Sequence, residues 1–245
     1  MRKKVFAPHG IVCELSDKSE RIVQMLRDGQ DIGKVSFTGE ELNDVGLCYW
    51  YGHIVNLNYE EAAKWFRAAD AKRYKAASFN LYVCYNNGMG VPEDERAALY
   101  WLRKAARYNH AGAQNILAEC YYTGGFVRRN RRLAKLWFKK SLDNAMEKNI
   151  EVTLNDFGAK FYLGKYGFDK NMDMAIKCFE MAGEKGFYLS IVWLISIYIE
   201  ENNEEKVEYW RKKYKACAAK DPNVTKLITL KYNSYMEGKK NEQQK

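Results

Sequence analysis

Proline is scarce, with three residues in a chain of 245. A chain so seldom interrupted favours long helices, because proline's missing N–H and fixed φ are what most often end them. Cysteine is scarce too. The six present are too few for the disulfide framework of a chain this long, and no CxxC pair offers a zinc site. No apolar stretch reaches the ~18 residues that span a bilayer. The basic start MRKKVFAPHG is followed by no apolar run of signal-peptide length. The expectation is a soluble, cytoplasmic protein without membrane insertion. Histidines number three, His9, His53 and His110, and the sequence contains no HExxH, no GxxxxGKS/T and no GxGxxG after a strand. No serine or cysteine is visibly paired with a histidine base. No catalytic residue, cofactor or metal ligand is therefore assigned, and a hydrolase-type enzyme ranks behind two binding functions.

What is abundant is apolar and cationic. Hydrophobic residues make up 47% of the chain and aromatic residues 14%, ample for a core. The formal net charge is +9 and the sequence pI about 9.1. This balance favours acidic partners and raises nucleic acid as an option.

The chain also repeats itself. VGLCYWYGHIVNLNYEEAAKWFRAAD, LYVCYNNGMGVPEDERAALYWLRKAA and LAECYYTGGFVRRNRRLAKLWFKKSL begin 36 residues apart, at positions 45, 81 and 117. Trp65, Trp101 and Trp137 share one slot, continued by Cys178 and Trp210. Three residues earlier stand Ala62, Ala98, Ala134, Ala175 and Val207; four later stand Ala69, Ala105, Ser141 and Ala182. Small residues around a bulky one at helical spacing let a neighbouring helix approach. Seven residues before the bulky slot are Asn58, Asp94, Asn130, Asn171 and Asn203, all strong N-cap types. This segment is helix B. Upstream, Tyr49, Tyr85, Tyr121, Phe161 and Tyr198 form an aromatic column in helix A, with Val45, Leu81, Leu117, Phe157 and Leu194 four residues earlier on the same face. Gly52, Gly88, Gly124 and Gly164 then supply a left-handed stop. One such pair cannot enclose its own apolar face, whereas stacked pairs build a continuous core. Identical slots then lie at least ~9 Å apart, beyond the ~7 Å limit for a disulfide. Cys48, Cys84 and Cys120 are accordingly expected as buried thiols.

The second copy, with Leu81, Tyr85, Gly88, Gly90, Val91, Asp94, Ala98, Trp101, Lys104, Ala105 and Ala106, resembles the Sel-one-like repeat, a relative of the tetratricopeptide repeat. The resemblance spans about residues 40–220. It implies an all-α, right-handed α-solenoid of about five antiparallel helix pairs with a concave groove, used as an adaptor for other proteins.

The bulky slots are spaced 36, 36, 41 and 32. The third junction, around LDNAMEKNIE, is expanded, and the last unit has lost its glycine and its loop. The expected boundaries are an N-terminal segment with a short capping helix at 1–39, five repeats at 40–220, a capping helix at 221–237 and a polar tail at 238–245. Within the first segment, residues 19–28 read as a short helix closed by Gly29 that covers the first unit. Thr38 and Glu41 read as a capping box.

Two surface features are candidates for binding. The run FVRRNRRLAKLWFKK holds Arg128, Arg129, Arg131, Arg132, Lys135, Lys139 and Lys140 with no acid. Four of its arginines fall in the loop and first turn of helix B, where cations oppose the dipole. A local rule broken without compensation marks a candidate site; the alternative is a solvated loop. The second feature is the column one residue past the aromatic, Trp50, Asn86, Tyr122, Tyr162 and Ile199, with Asn87 and Glu119 beside it. It offers aromatic anchors and hydrogen-bonding groups; the alternative is packing between adjacent helices. The function expected is a non-catalytic protein–protein interaction module, an adaptor or a neutralising partner, binding an acidic or mixed surface. The alternative is a nucleic-acid-binding helical repeat protein using the arginine loop.

Overall fold

The computed structural model describes residues 2–6, 12–33, 36–217 and 233. Among them the chain is all-α apart from one hairpin. Strands β1 (Arg2–Phe6) and β2 (Val12–Ser16) pair antiparallel, Arg2 opposite Ser16. Helices follow as α1 (Asp17–Arg27), α2 (Gly39–Tyr51), α3 (Tyr59–Ala71), α4 (Lys75–Asn87), α5 (Glu95–Arg107), α6 (Ala111–Thr123), α7 (Arg131–Lys148), α8 (Glu151–Leu163), α9 (Met172–Glu184), α10 (Tyr188–Glu200) and α11 (Glu204–Ala216). The chain divides into two compact units, residues 1–141 and 142–245. The final helix and polar tail expected beyond residue 220 lie outside the described residues.

The repeat punctuation is realised residue by residue. Gly52, Gly88, Gly124 and Gly164 end the A helices with φ of 67°, 64°, 85° and 65°. Side chains of Asn58, Asp94, Asn130, Asn171 and Asn203 accept N–H bonds from the first turns of the B helices. A backbone bond joins these two signals. The N–H of each cap residue donates to the carbonyl of the aromatic column: Asn58 to Tyr49, Asp94 to Tyr85, Asn130 to Tyr121, Asn171 to Phe161 and Asn203 to Tyr198, all at 2.8–3.0 Å. The cap and the column thus close each loop from both ends, whatever its length. In the last pair the loop shrinks and Asn202, at φ 59°, takes the left-handed position where glycine is lost. The expanded third junction is helical: α7 has 18 residues where α5 and α9 have 13, which absorbs the five extra residues of the 41-residue spacing.

The first unit starts with α1, which packs Ile22 and Val23 on Val45 and Cys48 of α2. Buried Ser19 donates to Asp44 at 2.7 Å. Thr38 and Glu41 form the capping box of α2. Side-chain bonds tie successive pairs: Asn80 donates to Asn43 at 2.8 Å, and Asp70 receives Ser78 and Lys104, each at 2.5 Å. The second unit holds α8 to α11, with Phe179, Ile191, Leu194, Tyr198 and Trp210 at its centre.

The tryptophan column lies nearer the surface than its size suggests. Trp65, Trp101 and Trp137 are half-buried, while the residue after each, Phe66, Leu102 or Phe138, is the buried plug; in the later copies Cys178, Phe179 and Trp210 are all buried. Gly46 makes room for Phe66 and Gly158 for Phe179: a Cβ on either would sit 2.5–2.6 Å from the ring. The tryptophans instead lie along the helix, where Lys104 stands 4.9 Å over Trp101 and Lys140 5.3 Å over Trp137. This i, i+3 cation–π pair gives the W-x-x-K spacing its physical meaning.

Candidate functional site

The α6–α7 loop, residues 124–130, is fixed at both ends. The Gly124 N–H donates to Cys120 at 2.9 Å and the Asn130 N–H to Tyr121 at 2.8 Å. Arg128, Arg129, Arg131 and Arg132 are all exposed. The Arg129 Nε donates to the Tyr122 carbonyl at 3.0 Å, and the Arg131 guanidinium lies 5.8 Å from the centre of the Tyr122 ring. Tyr122 thus joins the two sequence candidates, the arginine run and the column one residue past the aromatic, in one place.

The rest of the column is more dispersed. The Trp50 ring meets Tyr59 at 4.8 Å and Phe66 at 6.1 Å, so it helps seat α3 on α2. Asn86 donates to Asn87 at 2.9 Å. Asn87 is exposed and Glu119 half-buried. In the second unit Tyr162 packs on Trp193 at 5.1 Å, and burial, together with Glu200, raises its phenol pKa. Ile199 is half-buried against the same core.

Sequence reasoning overlooked Arg103. This residue of α5 lines a cleft of about 700 Å³ with Tyr121, Phe126, Val127, Arg128 and Arg129. A second cleft, about 520 Å³, runs along α5 beside Arg96, Tyr100, Arg103 and Arg107. The signal was present in the sequence: positions 96, 100, 103 and 107 share one helix face and carry three arginines, one tyrosine and no acid. Tyr100 is 57% exposed. The first cleft is a product of the repeat, because α1 and the α2–α3 loop form its counterpart. There Arg27, Tyr49, Ile54, Val55, Asn56 and Leu57 enclose about 360 Å³.

Titratable groups with shifted acidity serve the fold. The His110 ring stacks on Phe79 at 4.4 Å and its Nδ1 accepts the Ala113 N–H at 3.2 Å, capping α6. Burial, with Lys75 nearby, pushes its pKa down to about 4. Burial pushes the Cys84 thiol up to about 12 and the Cys178 thiol up to about 11, the opposite of a reactive thiolate. Among the described residues no cluster of His, Cys, Asp and Glu is arranged to hold a metal, and no helix is long and apolar enough to cross a membrane.

The model of the Sel1 repeat matches residues 42–69, 74–110, 111–145 and 158–187. Nothing among curated proteins matches the sequence. Among solved structures, the chain is similar to a Sel1 repeat protein from Oxalobacter formigenes, with 23% identity and a TM-score of 0.64 over 85% of this chain and 86% of that one. It is also similar to Pseudomonas aeruginosa protein 5086, with 17% identity and a TM-score of 0.52 over 81% of each. An immunity protein from Pseudomonas aeruginosa aligns at 10% identity and a TM-score of 0.48, over 90% of this chain and 83% of that one.

Proposed function

The chain belongs to the Sel1 repeat family, and from that premise we propose that it is a non-catalytic protein–protein interaction module of the cytoplasm. It acts as an adaptor or as the neutralising partner of another protein. Partner contact falls to the α6–α7 loop and the first turn of α7, through Arg128, Arg129, Arg131 and Arg132, and to the column of Trp50, Asn86, Asn87, Glu119, Tyr122 and Tyr162. The observation that carries this reading is a short loop anchored at both ends by backbone bonds to α6, which with the first turn of α7 presents four exposed arginines. A loop held in place before binding loses little entropy on binding. Guanidinium forks match carboxylates in pairs of hydrogen bonds. The non-catalytic reading draws support from His110, Cys84 and Cys178, whose shifted acidities accompany burial, capping and stacking.

The test is affinity capture from native lysate with the full chain and with Arg128, Arg129, Arg131 and Arg132 changed together to serine. A protein retained by the first and lost from the second is the expected result. Equal capture by both would remove the loop from the interface. Capture of nucleic acid, lost steeply with added salt, would select the alternative function.

A further inference from the structure

The Arg103 cleft has a composition that its counterpart near α1 lacks. Both are built by a helix followed by an A–B loop, and both have an apolar floor: Tyr49, Ile54 and Val55 in one, Tyr121, Phe126 and Val127 in the other. The first has a neutral rim of Asn56 and Leu57, and its Arg27 is paired with Asp28 at 2.8 Å. The second is rimmed by Arg103, Arg128 and Arg129. No ion pair involves these three among the described residues. It is also the larger, about 700 Å³ against 360 Å³. One copy of a repeated cleft has thus acquired three guanidinium groups around an apolar floor.

Three cations around one cleft repel one another, and only Arg129, which bonds a last-turn carbonyl of α6, has a partner in the fold that accounts for its charge. A bound anion removes the repulsion. A stretch of phosphates calls for a cationic track with flat stacking platforms. Here the cations surround a floor of Phe126, Val127 and the half-buried Tyr121, which accommodates a hydrocarbon side chain. The bond from the Arg129 Nε to the Tyr122 carbonyl orients that guanidinium before any ligand arrives.

We propose that the cleft between α5 and the α6–α7 loop binds an acidic peptide segment of a partner protein. One apolar side chain of the segment rests on Tyr121, Phe126 and Val127, and flanking Asp or Glu carboxylates pair with Arg103, Arg128 and Arg129. The α5 stripe of Arg96, Tyr100 and Arg107 extends the track for further acidic residues. This rests on the interaction-module reading and specifies its partner class and its principal contact residue.

The test uses an array of short random-composition peptides probed with the labelled full chain. Peptides with Asp or Glu around an aliphatic or aromatic residue are expected to be enriched. Affinity for them falls about tenfold in Arg103→Ser, since a charge-assisted bond contributes on the order of a factor of ten. It falls less in Arg103→Lys and not at all in Lys212→Ser, an exposed residue of α11. The double variant Arg128→Ser/Arg129→Ser reproduces the loss, and unchanged circular-dichroism melting shows that the variants fold. Enrichment indifferent to carboxylates, or full affinity in Arg103→Ser, would overturn the proposal. So would oligo-uridine displacing the peptides and binding more tightly through the same arginines. A lysate partner whose capture ignores Arg103, Arg128 and Arg129 would overturn the cleft and leave the interaction role standing. No peptide binding together with no captured partner would remove both.

Discussion

The outer faces of the B helices differ most between the first unit and α9. In residues 1–141, the slot two positions after the tryptophan holds Arg67, Arg103 and Lys139; in the second unit the same slot holds Glu180 on α9 and Lys212 on α11. The second unit engages most of its described glutamates internally. Glu180 accepts the Tyr198 hydroxyl at 2.9 Å with Lys206 3.9 Å away, Glu184 meets Tyr209 at 2.7 Å and also Lys213, and Glu151 stands 3.8 Å from Lys185. Even the buried Lys160, in the slot where earlier repeats carry cysteine, pairs with Asp156 at 2.5 Å. In the first unit Arg96, Arg103, Arg107, Arg128 and Arg132 have no ion pair among the described residues. The first unit thus carries, beside paired charges such as Lys64–Glu61 and Lys104–Asp70, a group of arginines without ion pairs that the second unit does not match. Their guanidinium charges have no partner in the fold, so the role of those charges is sought in binding.

If the units differ in surface and not in packing, core truncation must damage both alike. Phe66→Ala and Phe179→Ala each empty a site shaped by a facing glycine and should cost about 3–5 kcal/mol, read from urea unfolding. A cost below about 1 kcal/mol at one of them would break the symmetry of packing. Acid comes next, and it separates the units because all three histidines lie in the first. Burial pushes the folded His110 down to about 4 from the ordinary 6.5. The unfolded chain therefore binds its proton first as pH falls. Stability from this group is full above pH 6.5, declines between 6.5 and about 4, and is lost below. The decline is at most about 3.5 kcal/mol, at about 1.4 kcal/mol per pKa unit. His110→Asn, which keeps a capping side chain, should flatten the difference between melts at pH 7 and pH 4.5. An unchanged slope would remove His110 as its source.

Charge changes have smaller effects. Glu184→Gln removes the partner of Lys213 and Tyr209 on the second unit's surface and should lower stability by about 0.5–1 kcal/mol, less at high salt. Arg103→Ser should act in the other direction: stability is unchanged or higher by up to about 0.5 kcal/mol, because a cation leaves a repulsive cluster. Differential melting of the two variants side by side checks the contrast. Destabilisation by Arg103→Ser comparable to that of Glu184→Gln would show that Arg103 is structural.

The elements that punctuate the chain were legible because they depend on local chemistry. A capping Asn or Asp and a left-handed glycine act within a few residues of themselves, so Asn58, Asp94, Asn130, Asn171 and Asn203 located the B helices; the extra residues near 142–150 marked an expanded junction, but not that it is a helical extension. Three features escaped because they depend on residues brought together by folding. The plug Phe66 is recognisable only once Gly46 lies beneath it. The bond from each cap N–H to the aromatic carbonyl exists only after the loop closes. Arg103 belongs to a cleft whose other wall lies more than twenty residues further along the chain. The groove column was legible as a spacing, yet the rings of Trp50 and Tyr162 turned out to meet Tyr59 and Trp193. That leaves Tyr122, beside the arginines, as the member linked to both candidate surfaces.

The account's central claim is that the unpaired arginines of the first unit form the partner-binding surface. Arginine modification by phenylglyoxal, mapped by mass spectrometry on the full chain with and without its captured partner, addresses it directly. The account predicts that Arg103, Arg128 and Arg129 react freely in the isolated protein and are protected in the complex, while Arg211 reacts equally in both. Protection absent from Arg103, Arg128 and Arg129 but present at Arg211 would contradict it.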